Sequence, residues 1–166
     1  MASDMDQQII HHLQTIPIFN RLTNEELAKI YSLCNFRRLT ADEMLYKFGT
    51  PSDGMFILLD GRLLARAPTG QDIAYIPAIG LVGEMGVLTN EPRSADVICM
   101  ENAMGFQIKK EDLINLFLAD GTICRKLLLN LVKILSQKLY DTNSEIEKLR
   151  KLQTRTHPSE DNIFLY

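Results

Sequence analysis

The sequence predicts an α+β fold: an antiparallel β-roll or jelly-roll barrel with N-terminal helices and one long C-terminal helix. Two observations carry this. Between Phe36 and Ile108, short apolar segments are bounded by Gly, Pro and Asp, as in short antiparallel strands around one core. On either side the apolar residues switch to helical spacing. The 166 residues, 46% of them hydrophobic, suit a single core with an appendage.

Residues 1–35 form the N-terminal helical segment, helical from about Met5 to Ser32. Thr23 with Glu26 three residues on is a capping-box pattern, and Leu27, Ile30, Tyr31 and Cys34 follow at helical spacing. Residues 36–109 form the β-roll. Within it, Met55–Leu59 and Arg62–Ala65 flank Asp60-Gly61, which predicts a two-residue hairpin. Gly49, Gly70, Gly80 and Gly105 mark further turns. Residues 110–153 are the C-terminal helices: Asp120-Gly121 breaks the pattern, and a long helix runs from about Thr122 to Gln153. Residues 154–166 read as a loose tail, whose apolar end Ile163-Phe164-Leu165-Tyr166 docks on the barrel or on a partner.

In the long helix, Val132, Leu139 and Ile146 form one seven-residue series, and Leu128, Leu135, Thr142 and Leu149 another. Interleaved at three and four, they make the seam of a two-stranded coiled coil, so the chain is expected to be a homodimer. The competing reading is a helix that packs back on its own barrel. Thr142 interrupts the seam, either to set register or to reach a ligand.

The stretch Gly83-Glu84-Met85-Gly86-Val87-Leu88-Thr89-Asn90-Glu91-Pro92-Arg93-Ser94-Ala95 combines a Gly-Glu turn, a short helix and a Pro-Arg-Ser-Ala sequence. Free N–H groups at a helix start attract an anion. A guanidinium forks onto phosphate oxygens. Glu84, being anionic, suits sugar hydroxyls instead. Together these residues read as a pocket for a ribose-phosphate carrying one charge.

This stretch resembles the phosphate-binding cassette of the cyclic nucleotide-binding domain family, which includes the catabolite activator protein and the regulatory subunits of cyclic AMP-dependent kinase. Ile16-Pro17-Ile18-Phe19, Leu22-Thr23 and Glu26-Leu27 resemble the family's opening helical turn, and Ser52–Gly61 its central hairpin. The resemblance implies that Glu84 meets the ribose 2′-hydroxyl and Arg93 the cyclic phosphate. Ser94 then offers a hydroxyl, Ala95 is expected among the ligand-binding residues, and backbone donors come from Gly83, Glu84, Met85 and Gly86. It implies too that Thr142 and Asn143 of the long helix reach the base, so that this helix closes as a lid, and that it mediates dimerisation. Cyclic AMP, or cyclic GMP, is the expected ligand, with no metal. Asp96 departs from the Thr or apolar residue usual there, and the Pro68–Asp72 loop is short.

A net charge of −3 and a pI near 5.6 disfavour nucleic-acid binding. About thirteen residues follow the long helix, too few for a DNA-reading module, so the effector is expected to be another protein, in a separate chain or in a longer one. The absence of a basic-then-apolar leader and of roughly 20 consecutive apolar residues predicts a cytoplasmic protein. Cys34, Cys99 and Cys124 are far apart and lack metal spacing, so they read as reduced thiols. His11, His12 and His157 form no ligand set with carboxylates, and an enzyme is not expected. The other expectation in view is a family fold that no longer binds nucleotide and serves as a dimeric interaction module.

Overall fold

The computed structural model describes residue 10 and residues 13–156. The expectations for His11, His12, His157 and the apolar end of the tail lie outside the described residues. Eight strands form two antiparallel sheets. One has the order β1 (Cys34–Leu39), β8 (Ala103–Lys109), β3 (Gly54–Asp60), β6 (Leu81–Val82). The other has the order β2 (Met44–Tyr46), β7 (Asp96–Cys99), β4 (Leu63–Arg66), β5 (Asp72–Ile76). The helices with described bounds are α1 (Asn24–Tyr31), α2 (Glu84–Thr89), α3 (Lys110–Ala119) and α4 (Gly121–Thr156).

β3 explains how the layers fit. Its residues are apolar without alternation because both of its faces are covered. Phe56 and Leu58 point between the sheets with Leu39, Tyr46, Leu63, Val97 and Cys99. Met55 and Ile57 point the other way, onto Leu27, Ile30, Leu113, Ile123, Leu127 and Leu131 of the helices. Sheet, barrel interior and helical layer therefore share one strand.

Four sequence expectations need correction. The Asp60-Gly61 turn does not close a hairpin: β3 pairs with β6 and β8, whereas β4 pairs with β5 and β7. The turn carries the chain from one sheet to the other. Gly105 is not in a turn but inside β8, opposite Leu58. Cys34 opens β1 rather than extending the helix. The N-terminal helical run is also interrupted. Ile16 precedes Pro17 and is held extended (φ −80°, ψ 123°), and a 3-10 turn covers Pro17–Phe19 before α1 begins.

α1 starts as expected: the Thr23 side chain accepts from Glu26 N, and the Glu26 carboxylate accepts from Thr23 N. Asp120 ends α3 and begins α4, its Oδ1 accepting from the N–H groups of Thr122 and Ile123. The long helix therefore starts where the sequence places it. It also packs back on the domain, with Ile123, Leu127 and Leu131 buried and Asn130 Nδ2 donating to the carbonyls of Ile18 and Asn20 at 2.9 and 2.6 Å. Most of the predicted seam faces outward: Val132 and Leu139 are 59% and 62% exposed, while Leu135 packs partly on the core. α4 thus has two apolar faces, one used by the domain.

The cysteines are free, and burial pushes the Cys34 thiol up to about 12, so it stays protonated and unreactive.

Ion pairs tie the N-terminal segment to α4. Lys126 Nζ sits 2.7 Å from Glu26 Oε2, and Lys29 Nζ 2.8 Å from Asp120 Oδ2. Hydrogen bonds from Lys126 and then Thr23 hold the Glu26 carboxyl below its ordinary value, and Lys29 and then Ile123 N do the same for Asp120. A carboxylate with a depressed folded pKa stabilises the protein above its unfolded pKa and stops doing so as pH falls through the folded one. Stability should therefore decline below about pH 4.5. Lys126→Ala should lower the midpoint of urea unfolding at pH 7 and flatten that decline; an unchanged pH profile would refute the linkage.

Candidate nucleotide-binding cassette

The cassette is built from β6, α2 and the turn into β7. Gly83 precedes α2 with φ +81° and ψ 5°, a left-handed conformation that a side chain disfavours. A Cβ there would also fall on Arg93 Nη1 and Tyr46 Cε2. The chain needs glycine because the Arg93 guanidinium lies against this backbone. The far end of α2 is tethered by Lys110 Nζ, which donates to Asn90 Oδ1.

Arg93 is 5% exposed. Its guanidinium carbon lies 3.5 Å from the Tyr46 ring centroid, Nη2 donates to Asp53 Oδ1 at 2.8 Å, and Nη1 makes a long bond to the Gly83 carbonyl at 3.4 Å. Burial of a cation requires such compensation. Burial also raises the Tyr46 pKa, keeping the phenol neutral beneath the cation. Asp53 itself is exposed, so the pair joins a buried group to the rim of the barrel.

Glu84 is equally buried, and its Oε1 accepts from Lys138 Nζ of α4 at 2.8 Å. The opening of the cassette is thereby joined to the long helix. Gly86 packs against Ser52: a Cβ would overlap Ser52 Oγ and crowd the Glu91 carbonyl. Ser52 Oγ is buried with no hydrogen-bond partner among the described residues.

Arg93 thus lies against Gly83, while the Glu84 side chain turns to the helical side with Lys138, Met55, Leu113 and Leu127, and Gly86 packs on Ser52. Met85 and Ser94 are exposed beside them, and Ala95 is half-buried. Thr142 and Asn143 are not drawn into the cassette. Both are exposed on α4, and Thr142 Oγ1 donates to the Lys138 carbonyl of its own helix. They lie one turn beyond Lys138, where the helix has left the domain. The residues that sequence reasoning missed are Tyr46, Asp53 and Lys138. Asp53 was visible only as part of a supposed hairpin, and Lys138 as one lysine among several on a helix. Asp96, the departure from the family pattern, has a local use: its Oδ1 accepts from Phe48 N at 2.8 Å, fixing the end of β2.

Among the described residues no group of three His, Cys, Asp or Glu side chains is placed to hold a metal ion. No helix among them is long and apolar enough to cross a membrane.

The Ser52–Gly86 contact is testable. Gly86→Ala should destabilise the protein by about 1–3 kcal/mol, as overpacking does. Adding Ser52→Gly should recover part of that loss in urea unfolding, and strict additivity of the two changes would show that they do not touch.

Comparison with known proteins agrees with this geometry. The model of the cyclic nucleotide-binding domain matches residues 36–120. An uncharacterized NTE family protein of Mycobacterium tuberculosis is 26% identical over 75% of this chain and 21% of its own length. The chain spans about a fifth of the length of the curated relatives it matches. A cyclic nucleotide-binding domain from Methylobacillus flagellatus superposes with a TM-score of 0.76 at 22% identity, covering 87% of this chain and 83% of that one. The regulatory domain of Toxoplasma gondii PKA, crystallised with cAMP, gives 0.66 at 18% identity, covering 84% of this chain and 51% of that one. With the barrel, the cassette and the matched segment in agreement, the chain belongs to the cyclic nucleotide-binding domain family.

Proposed function

We propose that this domain is a sensor of a cyclic nucleotide, most simply cyclic AMP, that passes occupancy through α4 to a protein effector without doing chemistry. The observation that carries the reading is that Glu84 and Arg93, the two polar anchors of the cassette, are both buried and both tied to other elements. In this reading the cyclic phosphate docks on the N–H groups of Glu84, Met85 and Gly86 and on Arg93 Nη1, in exchange for its long bond to the Gly83 carbonyl. Ser94 adds a hydroxyl. The ribose 2′-hydroxyl donates to Glu84 Oε2, since Oε1 already holds Lys138. The cyclic AMP-bound Toxoplasma gondii neighbour supports the choice of base, though the same pocket suits cyclic GMP.

The Glu84–Lys138 pair makes the mechanism concrete. Ligand that draws α2 inward pulls on Lys138 and so on α4, bringing Thr142 and Asn143 over the base. A ligand moves such an equilibrium only by its differential affinity for the two states. Here the difference is the contact made by Thr142 and Asn143 in the closed state alone. The outward apolar face of α4 (Val132, Leu139, Ile146) is proposed to pair with a second copy, placing two cassettes on one coiled coil.

A second reading has one observation in its favour. Arg93 is already well satisfied by Asp53, Tyr46 and Gly83, as expected of a domain that keeps the fold and signals through α4 alone.

Calorimetric titration with cyclic AMP and cyclic GMP separates the two. The sensor reading expects micromolar or tighter binding of one nucleotide, weakened about tenfold or more in Arg93→Ala, because a charge-assisted hydrogen bond is worth roughly 1.5–3 kcal/mol. No heat from either nucleotide, with protein freed of copurified ligand, would leave the interaction module. Lys138→Ala should keep binding within a few-fold while abolishing ligand-induced hydrogen-exchange protection in residues 139–150. For the dimer, Val132→Glu with Leu139→Glu should convert a sedimenting dimer to monomer; a wild-type monomer at high concentration would sink that part.

A further inference from the structure

Arg93 has a second side. Away from the cassette it walls a cleft of about 540 Å³ between the ends of β1, β2 and β8 and the loop leading into β3. Among the described residues it is the only cassette member lining that cleft; Gly83, Glu84, Gly86 and Ser94 do not. The cleft is therefore a different place from the nucleotide pocket, sharing one wall with it.

Its charge is unlike that of the rest of the chain. The protein carries a net charge of −3, yet Arg37, Lys47, Arg93 and Lys109 converge here against Asp53. Arg37 is paired with Glu43 at 2.8 Å, and Arg93 with Asp53. Lys47 and Lys109 are exposed, and neither has an acidic partner within ion-pair distance among the described residues. After pairing, two cations remain facing one concavity, where low-dielectric walls focus their field. The polar wall adds the Tyr46 hydroxyl and the Gln107 amide, joined to each other only by long contacts of 3.3–3.5 Å. These groups have hydrogen-bonding capacity left for a ligand. The volume lies in the range of roughly 300–1,000 Å³ usual for small-molecule sites.

We propose that this cleft binds a small, multiply charged phosphate-bearing molecule. Lys47 and Lys109 supply the charge, Arg37 and Gln107 the directed N–H donors, and Arg93 the wall toward the cassette. A doubly charged phosphate group fits two unpaired cations. A cyclic phosphodiester with its single charge matches the other side of Arg93 better.

The experiment uses the full chain and inorganic pyrophosphate as probe, added at constant ionic strength while backbone amide resonances are followed by NMR. Saturable shifts are expected at Lys47, Thr50, Asp53 and Lys109, with affinity reduced about tenfold or more in Lys47→Ala/Lys109→Ala, since charge-assisted bonds to phosphate are lost. Both side chains are exposed, so the variant should fold, which its unfolding curve checks. Shifts that do not saturate, or that survive the double substitution, would overturn the proposal. So would shifts centred on Gly83–Gly86 and Ser94 that disappear when cyclic AMP is added, because pyrophosphate would then be using the cassette. Saturable binding at Lys47 and Lys109 in a protein that takes up no cyclic nucleotide would uphold the cleft and reject the sensor reading, so the two ideas fail separately.

Discussion

A buried guanidinium must find partners for its donors and its flat face, and Arg93 draws them from three separate segments. The carboxylate comes from Asp53 ahead of β3, the aromatic face from Tyr46 of β2, and the carbonyl from Gly83 at the start of the cassette. The remaining features follow. With the guanidinium in place, residue 83 has no room for a Cβ and takes a left-handed conformation. That turn sets the direction of α2, and α2 in turn presents Glu84 to Lys138 on the long helix. One buried charge thus links the rim of the barrel, the cassette and α4. An uncompensated charge in the same position would cost several kcal/mol, so its partners are constrained together.

The long helix reconciles two readings that the sequence presents as alternatives. Ile123, Leu127 and Leu131 repeat at i, i+4 and face the domain, while Val132, Leu139 and Ile146 repeat at seven and face outward. A helix has room for both stripes, because residues at these offsets fall on different sides of a 3.6-residue turn. Packing against the domain therefore leaves the outer stripe available.

Features that depend on neighbours in the chain were legible: the Thr23–Glu26 capping box, the break at Asp120-Gly121, and the Gly83-Glu84 turn with its short helix. What was hidden depends on distant pairing. Asp60-Gly61 has the composition of a hairpin turn, but β3 is claimed by β8 and β6 and β4 by β7 and β5, and no local signal reports that competition. Gly105 looks like punctuation, yet it is a strand residue lying against the Phe56 ring. The partners of the candidate site were hidden for the same reason. Asp53 is 40 residues from Arg93, and Lys138 is 54 from Glu84. A single sequence gives charge and spacing, and neither identifies which lysine of a long helix will meet a given carboxylate.

The capping of α4 by Asp120 also has a mechanical consequence. Thirty-six residues at about 1.5 Å each make a rod about 54 Å long. It is pinned near one end by the Asp120 cap, the Lys29 and Lys126 pairs and the Asn130 bonds, and its last fully buried apolar residue is Leu131. It is therefore a lever with its fulcrum close to the barrel. Beyond Leu131 the arm is about 38 Å long, so a tilt of about 5° at that fulcrum would sweep the far end through about 3 Å, the rise of two residues. Lys138 lies on the arm between fulcrum and tip, so in the proposed sensor an ångström-scale displacement of the cassette would be magnified at the distal end of the helix.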